Sequence, residues 1–221
     1  MSNFFKHKGI THPKLDRYVL DHTTPESPLL SQLFRDTYVK IHHPRRISDH
    51  LIGKWLEMIC QMIRPEKVLE IGTFTGYGAL AMAAGLPEGA ELHTIEINDE
   101  LVPFIEGWIK ESPHRDKIHL YIGNALSIIP DLNISFDLVF IDGEKDQYVD
   151  YYEAALEKTR SGGFLIADNT LWSGKVLETD IPENDHFTRG VMRFNDHIQA
   201  DQRVENLLLP VFDGMMIIRK I

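Results

Sequence analysis

The feature that most constrains the fold of this 221-residue chain is a regular alternation between short apolar runs and longer segments that suit helices. The runs are apolar or β-branched, which is typical of buried strands. The segments between them have the length of crossover helices, so the pattern predicts a doubly wound parallel sheet covered on both faces. The runs are 67–72, 91–97, 118–123, 136–142 and 162–168, and the intervening segments are 75–86, 99–111, 124–132 and 148–160.

The region before the first run lacks strand patterns. Residues 15–64 carry apolar side chains at three- and four-residue spacing, which predicts helices. Ser48 and Asp49 stand where a cap would begin a helix over 51–63. Pro44 is placed to end the helix that precedes it.

The region after the last run also departs from the alternation. Residues 187–200 suit a further helix, and two apolar runs joined at Asp213-Gly214 predict an antiparallel hairpin. We therefore expect a single α/β domain over the whole chain, with a helical cap at 1–64 and a cofactor-binding core at 65–221.

Composition limits the class of partner. A formal net charge of −10 argues against extended contact with a nucleic-acid backbone, although the basic stretches 6–8 and 42–46 leave a local patch open. The first ten residues do not resemble a secretory signal, and no apolar run approaches the roughly 18 residues of a membrane-spanning helix. We expect a cytoplasmic protein without membrane contact. Cys60 is the only cysteine, which excludes a disulfide framework and a thiolate zinc site.

Ligands of an open α/β sheet bind beyond the carboxyl ends of its strands, so those positions are the first candidates for a site. The stretch EIGTFTGYG, residues 70–78, has three glycines but neither the dinucleotide nor the phosphate-loop pattern. It favours a nucleoside ligand without a pyrophosphate, or is an ordinary strand-to-helix turn. Glu96 is placed to accept hydrogen bonds from ribose hydroxyls, or is an exposed strand-end acid. Small residues at 123–125 leave room for a flat base.

The fourth and fifth apolar runs both end on oxygen-bearing side chains, Asp142 in one case and Asp168 with Asn169 in the other. Two carboxylates and an amide oxygen are hard ligands that suit Mg²⁺, Mn²⁺ or Ca²⁺ and are poor for zinc. The alternative is two separately capped turns. Lys145 is placed to reach the same pocket, or is a solvated lysine. The histidines show no metal-ligand spacing on one element and are predicted to be surface or packing residues.

Four stretches together resemble the cation-dependent class I O-methyltransferases, which include caffeoyl-CoA and catechol O-methyltransferases and small bacterial relatives. VLEIGTFTGYGALAMA resembles the S-adenosylmethionine (SAM) loop of that family. FIDGEKDQYVDYY resembles its F-[VI]-D-x-x-K-x-x-Y-x-x-Y segment, and IADNTLWSG resembles its D-N-x-L-W-x-G motif. LLPVFDGMMIIRK resembles its closing hairpin, so the resemblance covers nearly the whole chain.

The resemblance implies a fold, a cofactor pair and an assembly. The implied fold is a Rossmann-like sheet of seven strands in the order 3-2-1-4-5-7-6, with an antiparallel last hairpin and extra N-terminal helices. SAM is the implied methyl donor, beside a divalent cation, with Mg²⁺ preferred over Mn²⁺ or Ca²⁺. The implied partners are a small hydroxyl acceptor and a second copy of the chain in a homodimer.

The resemblance also implies roles for individual residues. The metal ligands match Asp142, Asp168 and Asn169. The catalytic pair matches Lys145, as general base, and Asp142. The acceptor side matches Tyr151. Trp172 is expected to form a wall of the acceptor pocket or to have a packing role, and Arg46 is expected to lie on the acceptor side, in the lid. The cofactor-binding set matches Ser48, Glu70, Gly72, Thr73, Gly76, Tyr77, Gly78, Glu96, Ile97, Asn124, Ala125, Asp142 and Glu144.

Two positions depart from the family pattern. Gly78 stands where serine is common, so a hydroxyl contact to the cofactor carboxylate is expected to be absent. Arg46 leads the stretch RISD where a methionine-led segment is usual, so the lid on the acceptor side is expected to differ. Neither departure touches the predicted cation ligands.

The predicted reaction is methyl transfer from SAM to a hydroxyl of an acceptor with vicinal oxygens, such as a catechol or a caffeoyl-type phenol. One alternative is methylation of 5-hydroxyuridine in tRNA, which small bacterial relatives carry out. An alternative of another class is a non-catalytic SAM-binding protein. An NAD-dependent short-chain oxidoreductase is disfavoured, because none of the seven tyrosines has a lysine four residues further on.

Overall fold

The computed structural model describes residues 13–221, and its elements follow the predicted order. The basic stretch at 6–8 lies outside the described residues. Among those described, no helix is both long and apolar enough to span a membrane. The helices are α1 Pro13–Asp21, α2 Pro28–Lys40, α3 His50–Ile63, α4 Tyr77–Gly85, α5 Val102–Glu111, α6 Ala125–Asp131, α7 Tyr148–Lys158 and α8 His186–Ala200. The strands are β1 Lys67–Ile71, β2 Glu91–Glu96, β3 Ile118–Ile122, β4 Phe136–Ile141, β5 Thr159–Ala167, β6 Val204–Leu209 and β7 Met215–Lys220.

These seven strands form one sheet in the order β3-β2-β1-β4-β5-β7-β6, which confirms the predicted fold. β1 to β5 pair in parallel, whereas β7 is antiparallel to both β5 and β6. Because β1 to β5 run in one direction, the side chains that follow their carboxyl ends are brought to one edge of the sheet.

Apolar side chains cover both faces of the sheet, since successive strand residues point to opposite sides. Leu69 and Val139 belong to a buried cluster with α6, α7 and α8. Val68 and Leu138 belong to the cluster on the other face, with α3 and α4. Nearly every residue of α4 is buried, because α4 lies between the sheet and α3.

In the segment between α2 and α3, the structure refines the predicted cap of α3 and corrects the predicted end of α2. Of the predicted pair, Asp49 is the residue that caps α3, because its Oδ1 accepts the Leu51 and Ile52 N–H groups at 3.0 and 3.1 Å. Pro44 does not end α2, which already stops at Lys40. Instead it opens a short 3₁₀ helix over Pro44–Arg46, because its fixed φ suits a first helical position.

The C-terminal hairpin is confirmed, but its loop spans residues 210–214 and is longer than a two-residue Asp-Gly turn. Asp213 and Gly214 pack against the chain that follows β5. Their carbonyls accept the Leu171 N–H at 2.9 Å and the Thr170 N–H at 3.0 Å. Gly214 has φ of 91°, and a Cβ there would lie 2.5 Å from the Leu171 nitrogen, so only glycine fits. The hairpin loop therefore supports the segment that follows Asp168.

Candidate cofactor and metal site

A cavity of about 260 Å³ opens at the carboxyl ends of β1 to β4, where the sequence predicted a site. A smaller hollow adjoins it and is bordered by several residues of the glycine loop. The predicted residues that line the cavity are Arg46, Gly72, Glu96, Ile97, Ala125, Asp142, Glu144, Lys145, Tyr151, Asn169 and Trp172. Those that border the hollow are Ser48, Glu70, Thr73, Tyr77 and Gly78, with Arg46, Gly72 and Asp142 shared.

Three predicted residues line neither space. Gly76 has φ of 91° and caps α4, so it shapes the loop. Asn124 caps α6, because its side chain accepts the Leu126 N–H at 2.9 Å. Asp168 lies just behind the surface and is 3% exposed. Tyr77 borders the hollow, but its hydroxyl donates to Glu26.

Gly72 controls how closely β1 approaches β4 at this edge. Its φ is 102°, and a Cβ would lie 2.5 Å from the Asp142 carbonyl oxygen. Any side chain here would therefore push the glycine loop away from Asp142. The sequence predicted a glycine for close approach of a ligand, and the structure adds the neighbouring backbone as a second reason.

Glu96 lies at the end of β2 and is 7% exposed. Its two carboxylate oxygens accept the Phe74 N–H at 2.6 Å and the Asn98 N–H at 2.9 Å. Burial raises the pKa of Glu96, and the backbone hydrogen bonds oppose that shift. The backbone thus fixes both oxygens at the cavity wall, where each retains a lone pair for a hydroxyl donor.

A buried polar chain lies beneath the smaller hollow. Thr94 Oγ1 donates to Glu70 at 2.5 Å and lies 2.5 Å from Thr73 Oγ1. Burial raises the pKa of Glu70 to about 8, against the opposing effect of the Thr94 hydrogen bond. Thr75 Oγ1 borders the same hollow and is buried without a hydrogen-bond partner among the described residues. An orphaned hydroxyl at this position fits a polar ligand that would satisfy it.

The predicted cation ligands directly follow the ends of the neighbouring strands β4 and β5. The backbone continues the ladder at this point, since Asp142 N bonds Ile71 O at 2.9 Å and Asp168 N bonds Ile141 O at 3.1 Å. Asn169 has φ of 58° and donates its N–H to Asp168 Oδ1 at 2.6 Å. Burial and then the negative charge of Asp142 raise the pKa of Asp168.

The Lys145 side chain faces the carboxylates of Asp142 and Asp168. Its Nζ lies 2.9 Å from Asp142 Oδ1 and 2.5 Å from the Tyr148 hydroxyl, and it is buried. The Tyr148 hydroxyl lies 3.1 Å from the Asp168 carbonyl, so it links the lysine to the end of β5. Tyr148 was missed as a site residue, although it lies within the quoted FIDGEKDQYVDYY segment.

The donor set fits a divalent cation. Two carboxylates and an amide oxygen are hard ligands for Mg²⁺, Mn²⁺ or Ca²⁺. A buried carboxylate whose pKa is raised by a neighbouring negative charge, as that of Asp168 is, is stabilised in its charged form when a cation binds beside it. Asp142, Asp168 and Asn169 are therefore the residues that would hold such an ion.

The O-methyltransferase family profile matches residues 20–221, nearly the whole described chain. The chain belongs to the O-methyltransferase family. Caffeoyl-CoA O-methyltransferase 1 of Zea mays is 35% identical over 220 residues, covering 94% of this chain and 84% of that relative. The Stellaria longipes caffeoyl-CoA O-methyltransferase is 30% identical and covers 100% of this chain and 98% of its own.

Solved structures agree with this assignment. A Bacillus cereus O-methyltransferase in complex with SAH superposes with a TM-score of 0.86 at 28% identity, covering 94% of this chain and 97% of that one. An SAH-bound methyltransferase of Podospora anserina superposes with a TM-score of 0.87 at 27% identity, covering 94% of each chain.

The wall of the cavity near Trp172 is lined by aromatic rings, and its backbone is strained. Trp172 packs edge-on against Phe187, with ring centroids 6.2 Å apart, and the buried Tyr151 lines the floor. Trp172 and Ser173 have φ of 47° and 55°, left-handed values that non-glycine residues rarely adopt. Strain of this kind persists only where the surroundings enforce it, and here the 210–214 loop does so.

Two arginines stand at the mouth of the cavity. Arg46 Nη2 lies 3.1 Å from Glu144 Oε1, so the segment before α3 bridges to the loop after β4. Arg45 also lines the mouth. Sequence reasoning missed Arg45, Phe74, Thr75 and Phe187 as site residues. Phe74 and Thr75 lie inside the glycine loop 70–78, whereas no local sequence pattern predicts the path by which Phe187 reaches the cavity.

The packing around residue 78 explains why this family member has a glycine there. A Cβ at Gly78 would overlap the Glu70 carboxylate. The absent side chain therefore leaves room for the Glu70–Thr94 hydrogen bond beneath the hollow.

Proposed function

We propose that this chain is a SAM-dependent O-methyltransferase that methylates a hydroxyl of an acceptor with vicinal oxygens, held beside a divalent cation. The observation that carries the proposal is that Asp142 and Asn169 line the same cavity as Glu96, with Asp168 buried next to Asn169. This arrangement supports an oxygen-ligand set and a nucleoside-type pocket at one edge of the sheet.

The proposed cofactor is SAM, which supplies a methyl group on a sulfonium. The SAH-bound relatives support this choice. The carboxylate of Glu96 would hold the ribose hydroxyls, since its oxygens are fixed by backbone donors. Ile97 and Ala125 would contact the adenine at the same end of the cavity. The polar end of the cofactor would satisfy Thr75 Oγ1 in the hollow.

The proposed cation is Mg²⁺, with Mn²⁺ or Ca²⁺ as alternatives, and its chemistry would be to lower the pKa of the acceptor hydroxyl. Asp142, Asp168 and Asn169 would hold it. Lys145 Nζ lies 2.9 Å from Asp142 Oδ1, so it reaches a hydroxyl that is held beside Asp142. We assign the neutral amine form of Lys145 as the group that takes the acceptor proton and becomes an ammonium, with the Tyr148 hydroxyl fixing its position.

The acceptor would lie between Tyr151 and the Trp172–Phe187 pair. Flat aromatic walls favour a flat phenolic ring, and alignment of two bound reactants supplies roughly 7–11 kcal/mol of barrier reduction. A catechol or caffeoyl-type phenol has both a flat ring and the vicinal oxygens that would be held beside the cation. The caffeoyl-CoA O-methyltransferases among the relatives support this acceptor class.

The test is to assay wild type and Asp168→Ala with labelled SAM and a panel of catechols, with Mg²⁺ or with EDTA. We expect turnover of at least one catechol that EDTA and the substitution both abolish. Asp116→Ala, which removes an exposed carboxylate at the amino-terminal end of β3, is the matched control. Full turnover in EDTA would remove the cation from the mechanism. Tight SAH binding with no product from phenols or RNA would favour a non-catalytic SAM-binding protein.

A second candidate acceptor is 5-hydroxyuridine in tRNA. The observation that favours it is the pair Arg45 and Arg46, which are exposed at the cavity mouth and carry the charge that phosphates require. The net charge of −10 opposes it. Incubation with labelled SAM and undermodified tRNA separates the two candidates, because label in RNA but not in phenols supports the tRNA reaction.

The homodimer and the cytoplasmic location stay predictions, as does the division into a cap at 1–64 and a core at 65–221. Sedimentation of the purified chain tests the homodimer, and fractionation of the source cell tests the cytoplasmic location. The cap contributes Arg46 and Ser48 to the site. We therefore expect that a chain lacking 1–64 binds SAH more weakly than the full chain.

A further inference from the structure

A second group of potential metal ligands lies at the opposite edge of the sheet from the cavity. Glu91 and His93 are two residues apart on β2, so they point to the same face. His119 on β3 is the direct pairing partner of His93 in the parallel register. These three residues therefore share one face near the amino-terminal ends of two adjacent strands.

The ligand atoms of the three side chains lie within 4.8 Å of one another. Glu91 Oε2 is 3.3 Å from His93 Nε2 and 3.9 Å from His119 Nε2. Tetrahedral zinc with bonds of about 2.0–2.1 Å places its ligand atoms roughly 3.3 Å apart. The distance between Glu91 and His93 already has this value, and the distance between Glu91 and His119 would have to shorten by a few tenths of an ångström.

The His93 ring is held by its surroundings in a suitable orientation. It is 3% exposed, and its Nδ1 lies 2.9 Å from the Tyr121 hydroxyl. The Phe136 ring packs edge-on against it, with centroids 5.8 Å apart. Histidines that bind metals usually make a hydrogen bond through the other ring nitrogen, which fixes the ring and directs the free nitrogen. Tyr121 is placed to serve His93 in this way.

The other two ligands have freedom to adjust. His119 stacks on His93 with centroids 4.8 Å apart and a 20° angle between planes, so its Nε2 must swing inward to share an ion. Its side chain is 45% exposed, which leaves room for that rotation. Lys67 Nζ lies 2.6 Å from Glu91 Oε2 and competes for this oxygen. A bound metal would therefore replace Lys67 as the partner of the Glu91 carboxylate.

We propose that Glu91, His93 and His119 form a binding site for a divalent transition metal of the zinc type, with water in the fourth position. Two imidazoles and one carboxylate are a ligand set that zinc favours, unlike the oxygen set at the carboxyl ends. The other cluster of this kind among the described residues, Glu153, His197 and Asp201, is already filled by the Arg203 guanidinium at 2.6–2.7 Å. The proposal is independent of the proposed function.

The experiment is a calorimetric titration of the full chain with Zn²⁺ in excess Mg²⁺, which would compete with zinc for the proposed oxygen site. We expect one zinc per chain, with affinity at least about tenfold weaker in His119→Ala and Glu91→Gln. His197→Ala is the matched control, because it removes an imidazole from the cluster that Arg203 fills, and it should bind as wild type does. Lys67→Met should bind zinc more tightly, because the competing ammonium is gone.

A spectroscopic readout identifies the ligands. Co²⁺ in place of zinc should give the visible bands of a tetrahedral site in wild type and lose them in His119→Ala, while methyl transfer is unchanged. His119 is exposed, so its loss should leave the fold intact, as circular dichroism would verify. Wild-type zinc affinity in both His119→Ala and Glu91→Gln would overturn the proposal, and so would absence of binding in the micromolar range.

Discussion

The two ends of the sheet present different donor sets from the same strands. The carboxyl end carries the oxygen donors Asp142 and Asn169, which line the cavity, and the buried Asp168 next to them. The amino-terminal end of β2 and β3 gathers Glu91, His93 and His119, which include two nitrogen donors at a solvent-exposed edge. Parallel pairing concentrates side chains at both ends, and the loops at the carboxyl end border a cavity. This cavity distinguishes the proposed reaction site from the proposed zinc site.

The electrostatics of the two ends differ as well. At the carboxyl end, burial raises the pKa values of Glu70 and Asp168. At the amino end, the hydrogen bond from Lys67 lowers the pKa of Glu91. The carboxyl end therefore carries acids whose charged forms are disfavoured until a ligand or cation arrives, whereas the carboxylate of the amino end is already compensated.

The largest expected effect is that of Asp168→Asn, which keeps an acceptor for the Asn169 N–H. We expect kcat to fall by more than about 100-fold, because a direct cation ligand is lost. Mg²⁺ should no longer raise the Tm of this variant, whereas Zn²⁺ should raise it as in wild type. Thermal shifts with each ion, together with a labelled-SAM assay, provide the measurement. Equal loss of both ion responses would show that the two ends are not separate sites.

Glu96→Gln tests the nucleoside end of the cavity. A hydrogen bond to a charged group is worth about 1.5–3 kcal/mol, so SAH affinity should weaken about 10- to 100-fold. Titration calorimetry with SAH measures this, and zinc affinity at the amino end should stay constant. Unchanged SAH affinity would place the ribose elsewhere.

Gly78→Ser restores the residue that is common in the family. Because the new Cβ overlaps the Glu70 carboxylate, we expect a loss of about 1–3 kcal/mol in the free energy of unfolding. Gly107→Ser is the matched control, since a Cβ at Gly107 meets no atom within 4 Å. Urea unfolding of the two variants gives the comparison, and equal stability would mean that Glu70 moves aside at little cost.

The last prediction concerns pH and Glu70, with a small effect for each pH unit. Its pKa is raised from 4.5 to about 8 in the folded chain, so between these values the folded state binds more protons than the unfolded state. The free energy of unfolding should therefore fall as pH rises through this window, by at most about 1.4 kcal/mol per pH unit from this group. Glu70→Gln should flatten the slope in urea unfolding without SAM or metal. An identical slope in both proteins would contradict the raised pKa.

Much of the carboxyl-end site was predictable, because the strand order and the parallel direction bring Asp142, Asp168 and Asn169 to one edge. Of the residues that were missed, Tyr148, Phe74 and Thr75 lie inside stretches that the sequence had already marked, whereas Phe187 reaches the site by a path that no local pattern encodes. Phe187 lies 45 positions after Asp142 and returns through an irregular segment. Pro44 was assigned to the end of a helix, because its restricted φ is compatible with more than one role.

His93 and His119 show the opposite case. Their separation of 26 residues carries no metal-ligand spacing, and the prediction that each is a lone surface or packing residue did not anticipate their stacking. Only the register between β2 and β3 places them opposite each other. A shift of one residue in that register would turn one imidazole to the other face.

The sequence by itself determined the alternation of strands and helices, the direction of the strands, and hence the edge at which the acids of β4 and β5 meet. It did so because hydrophobic periodicity and short connections leave few other topologies. The tertiary structure alone decided which long-range neighbours touch: Gly78 with Glu70, the 210–214 loop with Leu171, and His93 with His119. Such contacts depend on register and packing, which are set by the whole folded chain and not by any local stretch of it.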